Sequence, residues 1–166
     1  MKLYLFAILV LFSNVIQAQK TKPLIGSIKG VNEAFTQIKK GLPDIKKNLT
    51  KKTAKNYIPK IKLGNAGSYK EGNNGDQSLT FTYSSLGYSG TLANYLNFYK
   101  TLISITNEIF GVDYKATAGA KEIVWTSGLI ENGKNVYTST IDISIKYDGP
   151  YDTNPSIIVE IKSERK

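Results

Sequence analysis

Apolar and polar residues alternate twice between Val136 and Ile161. Ile141, Ile143 and Ile145 interleave with Asp142, Ser144 and Lys146, and after a loop the period returns in Ile157, Val159 and Ile161. A period of two sends one set of side chains into a core and the other toward water, so two half-buried strands are predicted here. Leu79, Phe81 and Tyr83 alternating with Ser78, Thr80 and Thr82 predict another, and Ile123–Thr126 a fourth, carrying the only Trp, Trp125. Tyr57–Leu63 reads as a strand with Ile61 and Leu63 on one face, confined to an edge by Pro59. Glu131-Asn132-Gly133-Lys134 is a tight-turn signal, because Asn-Gly tolerates the positive φ that short hairpins require.

A helical period governs other stretches. Leu92, Tyr95, Leu96, Tyr99, Leu102, Ile103, Ile109 and Phe110 form a wide apolar face opposite Asn94, Asn97, Thr101, Ser104 and Glu108. Gly87–Gly90 breaks the chain before this segment, Thr91 can cap it and Gly111 ends it, which predicts a long core helix over 92–110. Val31, Phe35 and Ile38 predict a shorter helix stopped by Gly41. Pro43 then opens a second basic helix with only Ile45 and Leu49 on its apolar stripe. Gln19–Ile28 reads as a loose arm. Gly64–Asp76, rich in Gly and Asn, reads as a loop; it lacks the Gly-Lys-Ser/Thr ending and following helix of a phosphate cradle. The order of elements predicts an α+β fold: an antiparallel meander of about five strands, with one long core helix and N-terminal basic helices packed on its apolar face.

The first residues stand apart from that fold. Met1-Lys2 is a positive start, Leu3–Phe12 an apolar run and Ser13–Ala18 a more polar stretch ending in a small residue. This is the pattern of a secretory signal over 1–18, cleaved after Ala18, and the apolar run is about half of the roughly 20 residues a bilayer-spanning helix needs. Residues 19–166 are expected to form one domain, with a basic helical segment at about 28–56, in a protein exported to a periplasm or out of the cell. The chain has no Cys and no His. That excludes disulfides, thiolate or imidazole metal sites, and nucleophilic catalysis built on a His base. No cofactor is expected.

Charge is uneven. The net balance is +9, yet residues 20–62 hold twelve Lys against Glu33 and Asp44, while 63–166 hold nine basic and eleven acidic residues. A basic third on a near-neutral body points to an anionic partner. The candidate contact residues are Lys39, Lys40, Lys46, Lys47, Lys51, Lys52 and Lys55. Nucleic-acid readers favour Arg, and the sole Arg is Arg165. A membrane-lying helix needs a broad apolar face, which 43–55 lacks. An anionic protein or envelope polymer is therefore the expected partner, and a non-catalytic binding protein the expected function.

Carboxylates supply the alternative. Pairing Asp142 with Glu160 across the last two strands sets two like charges side by side; a slide of two residues faces Asp142 with Lys162 and keeps the apolar phase. The ion pair makes the second register the expected one. A two-residue turn at Asn132-Gly133 puts Trp125 opposite Thr140 on the polar side, where it could serve as a sugar platform beside Asp142 and Glu160 in a glycan-active enzyme. A bulge near Gly128 reverses that phase and buries Trp125 in the core. Asp148, Asp152 and Asn154 do not have calcium-loop spacing and read as turn residues. Asn48-Leu49-Thr50 matches a glycosylation acceptor. A structural envelope component with no dedicated ligand is the third class.

Overall fold

The computed structural model describes residues 28–51, 57–84, 92–130, 137–152 and 154–165. The expected signal segment, Lys52, Lys55, the cap at Thr91 and the turn at 131–134 lie outside them. In chain order the elements are helix α1 (Ile28–Gly41), a 3-10 turn (Ile45–Asn48), strands β1 (Leu49–Lys51), β2 (Tyr57–Pro59), β3 (Ala66–Glu71) and β4 (Gln77–Tyr83), helix α2 (Leu92–Phe110), and strands β5 (Tyr114–Ala118), β6 (Glu122–Ser127), β7 (Tyr137–Lys146) and β8 (Ser156–Arg165). The class is α+β. Six strands form one antiparallel sheet in the order β3-β4-β8-β7-β6-β5, and β1 pairs with β2 in a separate ribbon. Strands β5 to β8 are a meander; α2 carries the chain across the sheet from β4 to the far edge.

One face of the sheet is apolar because the period-two rows of the central strands all point the same way. Leu79, Phe81 and Tyr83 of β4, Ile157, Val159 and Ile161 of β8, and Ile141, Ile143 and Ile145 of β7 are all buried. Helix α2 lies over β7 and β8 and buries Tyr95, Tyr99, Leu102, Ile105, Thr106 and Phe110. Helix α1 adds Val31, Ala34, Phe35 and Ile38, and Phe35 meets Phe110 edge-on at 6.3 Å, joining the two helices. Gly111 ends α2 at φ 62°, the left-handed conformation that glycine adopts without steric cost.

The register of β7 against β8 differs from the one expected. Asp142 stands opposite Glu160, while Ile141 faces Ile161, Ile143 faces Val159 and Ile145 faces Ile157. Sliding by two would set Ile141 against Ser163 and Ile157 against Tyr147, leaving two apolar pairs, Ile143 with Ile161 and Ile145 with Val159, in place of three. Burying one Ile side chain is worth about 1.5–3 kcal/mol, against about 0–1 kcal/mol for a solvent-exposed ion pair, so the apolar pairing wins.

Trp125 is 1 % exposed, the outcome expected of a bulge near Gly128 and not of a two-residue turn: it faces Ile143, with Ala116 on its other side. The register explains the change. Thr126 pairs with Asp142, but Ile130 bridges to Ser139, so β6 carries one residue more than β7 between those points. This is a β-bulge at Ser127–Leu129. Ser127 Oγ accepts the Ile141 N–H at 2.7 Å, and the Gly128 N–H is taken by the Asp113 carbonyl.

Four elements depart from the sequence reading. The expected second basic helix is a single 3-10 turn, with the Asp44 side chain accepting the Lys46 N–H, followed by strand β1. Ile45 and Leu49 are both buried nonetheless, since a spacing of four serves a turn-plus-strand as well as a helix. Tyr57–Pro59 pairs with β1 instead of the main sheet. Part of the expected 64–76 loop is strand β3, and β5 was not anticipated; both are sheet edges with exposed side chains and so carry no apolar period.

Burial of phenols gives a pH signature. Burial pushes the Tyr69 and Tyr99 hydroxyls up to about 12, and raises that of Tyr83 as well. The unfolded chain ionises these groups near pH 10 while the native state holds their protons, so their stabilisation is complete below pH 10 and is lost as pH rises through 12. The urea midpoint should stay level up to about pH 9 and fall between about pH 10 and 12, with tyrosinate absorbance rising in the same window as the loss of structure.

Candidate functional site

The lysines singled out from the sequence divide by what each ammonium touches. Lys39, in the last turn of α1, donates to the Ile109 carbonyl and lies over the Phe110 ring at 5.9 Å. A cation at the C-terminal end of α2 is favourably placed against the helix dipole, so Lys39 fastens one helix to the other. Lys46 forms a 2.6 Å ion pair with Glu71 of β3 and sits 5.9 Å from the Tyr57 ring centre; the hydrogen bond it donates to Glu71 raises its pKa. These two hold the fold. Lys51 is exposed on β1, opposite Tyr57.

Lys40 and Lys47 are different. Both are exposed, and neither has an ion-pair partner among the described residues. They line one cleft of about 330 Å³ together with Gln37, Gly41, Asn48 and Lys60, plus Ile61. Local structure explains the gathering. The C-terminal end of α1 supplies Lys40 and Gly41, and the 3-10 turn reverses the chain so that Lys47 and Asn48 come back beside them. The Lys60 N–H bonds to the Asn48 carbonyl at 2.9 Å, and Lys60 Nζ donates to the Lys47 carbonyl at 3.2 Å, which fixes a third ammonium at the same wall. Among the described residues the lining has three positive groups and no carboxylate.

Asn48 was noticed in the sequence only as a glycosylation acceptor. Its side chain is 7 % exposed and forms part of the cleft wall, so it does not project for glycan attachment. It packs against Gly41 so closely that a Cβ on Gly41 would lie 2.0 Å from Asn48 Nδ2. Neither Asn48 nor Lys60 shows a pattern in the sequence that would select it; proximity comes from the turn and the β1–β2 ribbon.

The carboxylate pair sits elsewhere, on the polar face of the sheet. Lys162 bridges it diagonally, 2.7 Å from Asp142 Oδ2 and 3.2 Å from Glu160 Oε2, and Ser78 Oγ donates to Glu160 at 3.3 Å. Burial disfavours the Lys162 ammonium, but the hydrogen bonds and charges of Asp142 and Glu160 outweigh it and raise its pKa. One cation thus offsets the repulsion that this register creates. Trp125 lies on the opposite, buried face, so the two carboxyls have no indole platform beside them.

A second cleft of about 340 Å³ is lined by Lys121, Glu122, Lys146 and Asp148 among others. Its charges cancel in pairs, Lys121 with Asp148 at 3.0 Å and Lys146 with Glu122 at 3.5 Å. The nearby turn uses both Asp152 oxygens on backbone, accepting the N–H groups of Asp148 and Asn154 at 2.7 Å each. Among the described residues no helix is long and apolar enough to cross a membrane. Comparison with protein-family models, with curated proteins and with solved structures finds no match for this chain.

The bridging role of Lys162 is open to measurement. Lys162→Met should lower the unfolding free energy by about 1–3 kcal/mol, because Asp142 and Glu160 are left facing each other half-buried. Adding Glu160→Gln to that variant should recover part of the loss in a denaturant titration.

Proposed function

We propose that the protein is an exported, non-catalytic binding protein that holds an anionic partner, an acidic protein or an envelope polymer, at the cleft between α1 and the 3-10 turn. One observation carries this reading: Lys40, Lys47 and Lys60 converge on a concave wall with no carboxylate among its described residues. Like charges repel, and such a cluster is favoured where a counter-charge fills it. Elsewhere on the molecule the lysines of a comparable cleft are each matched by an acid, so the unmatched charge is a local property and not a consequence of net charge alone. The contact set is thereby narrowed to Lys40 and Lys47, with Lys60 added, while Lys39 and Lys46 serve through the fold. Lys51, Lys52 and Lys55 border the same segment in sequence and add to its positive charge. The amino-terminal signal pattern accords with a partner outside the cytoplasm.

Retention on immobilised heparin in a salt gradient tests the reading. Lys40→Glu/Lys47→Glu should weaken binding roughly 5- to 30-fold at physiological salt, where the attraction is screened beyond about 8 Å. Lys100→Glu/Lys115→Glu changes net charge by the same amount at two other exposed lysines and should elute close to the parent protein. Equal loss in both variants, or no loss in the first, defeats the proposal.

A further inference from the structure

The six-stranded sheet ends differently at its two edges. β3 is screened by strand β2, which packs beside it: Tyr57 meets Tyr69 at 5.5 Å, and a Cβ on Gly67 would lie 3.1 Å from Pro59 Cγ. β5, at the other end, has no strand beyond it among the described residues, and every one of its side chains is exposed. Two hydrogen bonds fix which backbone groups it leaves open. The Asp113 carbonyl accepts from the Gly128 N–H and the Gly119 N–H donates to the Glu122 carbonyl, so the odd-numbered residues turn toward β6. Alternation then sends the N–H and C=O groups of Tyr114, Ala116 and Ala118 the other way, along a free edge.

The same three residues form the apolar row of β5, since Ala116 pairs with buried Trp125 and Ala118 with Ile123. Tyr114 is 62 % exposed although its ring stacks on Trp125 at 6.2 Å, and Leu129, also exposed, stands two residues past its strand partner Ser127. The strand has no Pro and no charge on this apolar row, devices that commonly guard an edge against self-association. Its sole charge, Lys115, lies on the polar face opposite Thr126.

We infer that β5 pairs antiparallel with β5 of a second copy, about a two-fold axis at Ala116, so that two six-stranded sheets continue as one. The choice of occupant rests on the sequence of the edge, Tyr-Lys-Ala-Thr-Ala. Open groups meet open groups only when even-numbered residues face each other. Centring on Ala116 engages all three: Tyr114 with the partner's Ala118, Ala116 with the partner's Ala116, and Ala118 with the partner's Tyr114, each pair exchanging both N–H···O bonds. It also sets a large Tyr over a small Ala and Lys115 beside the partner's Thr117. Centring on Lys115 would set like charges face to face, centring on Thr117 would leave Tyr114 outside the ladder, and each makes fewer bonds. A strand from another protein would need no such match between the two halves of this segment. So short an edge buries less than about 1,200 Å², which makes the dimer a weak one, with Kd about 10–100 µM.

Sedimentation velocity over about 5–500 µM brackets that Kd and should show a monomer–dimer equilibrium. Ala116→Pro removes an open N–H that the fold itself does not use and should leave a monomer throughout. Thr117 reads the register by sign, from an exposed side chain. Thr117→Lys faces the partner's Lys115 at both ends and should weaken the dimer about 3- to 30-fold, whereas Thr117→Glu makes two ion pairs there and should tighten it. In ¹⁵N spectra the Ala116 and Ala118 amides should gain protection from hydrogen exchange as concentration rises, while those of Lys115 and Thr117 are protected throughout. A monomer at the highest concentration overturns the inference, whether those amides stay open or are protected by the chain itself. So does a dimer that Ala116→Pro leaves intact, which lies on another surface, or one that both Thr117 variants weaken alike, which is not centred on Ala116. Should Ala116→Pro fail to fold, the opposite signs of the two Thr117 variants decide alone.

Discussion

The pairing of β7 with β8 sets the rest of the molecule. Three apolar pairs, Ile141 with Ile161, Ile143 with Val159 and Ile145 with Ile157, make a dry ladder at the centre of the sheet. β4 continues the ladder on one side through Leu79, Phe81 and Tyr83, and Trp125 continues it on the other. With no disulfide available, this burial is the principal source of stability, and α2 is held where it covers the ladder. The same register forces Asp142 against Glu160 on the wet face, and Lys162 answers that strain from the diagonal position. The electrostatics of the polar face are thus a consequence of how the apolar face packs.

The basic segment obeys a similar hierarchy. Ile45 and Leu49 are drawn into the core, and the chain between them closes as a 3-10 turn because Leu49 goes on to pair with Pro59 in the β1–β2 ribbon. Burying those two residues brings Asn48 and Lys47 back against the end of α1. Lysines that look alike in sequence then take unlike roles. Lys39 reaches a helix end and Lys46 reaches Glu71, whereas Lys40 and Lys47 face each other's cleft without an acid. A charge cluster in sequence stays unmatched in the structure only where the fold brings no acid to it.

Much of this was legible beforehand. Periodic apolar residues located β4, β6, β7, β8, α1 and α2, and the bounds of α2 fell where Gly111 and the apolar face put them. The edges were not legible: β3 and β5 expose nearly every side chain, so alternation has nothing to report, and their backbone pairing is decided by a neighbouring strand. The register was not legible either: like charges at Asp142 and Glu160 argue for a slide, yet Lys162 reaches both carboxylates without one.

The α+β class, the face each central strand buries, the absence of thiol and imidazole chemistry and the concentration of positive charge before Leu63 are all written in the chain, because each is a property of residue type and local period. Packing settles what the chain leaves open: a bulge after Ser127 buries Trp125, Asp142 and Glu160 share one lysine, and Asn48 and Lys60 join Lys40 and Lys47 around a single cavity. Those facts concern which distant residues become neighbours, and neighbourhood follows from the packing of the whole core, which no short stretch of chain encodes.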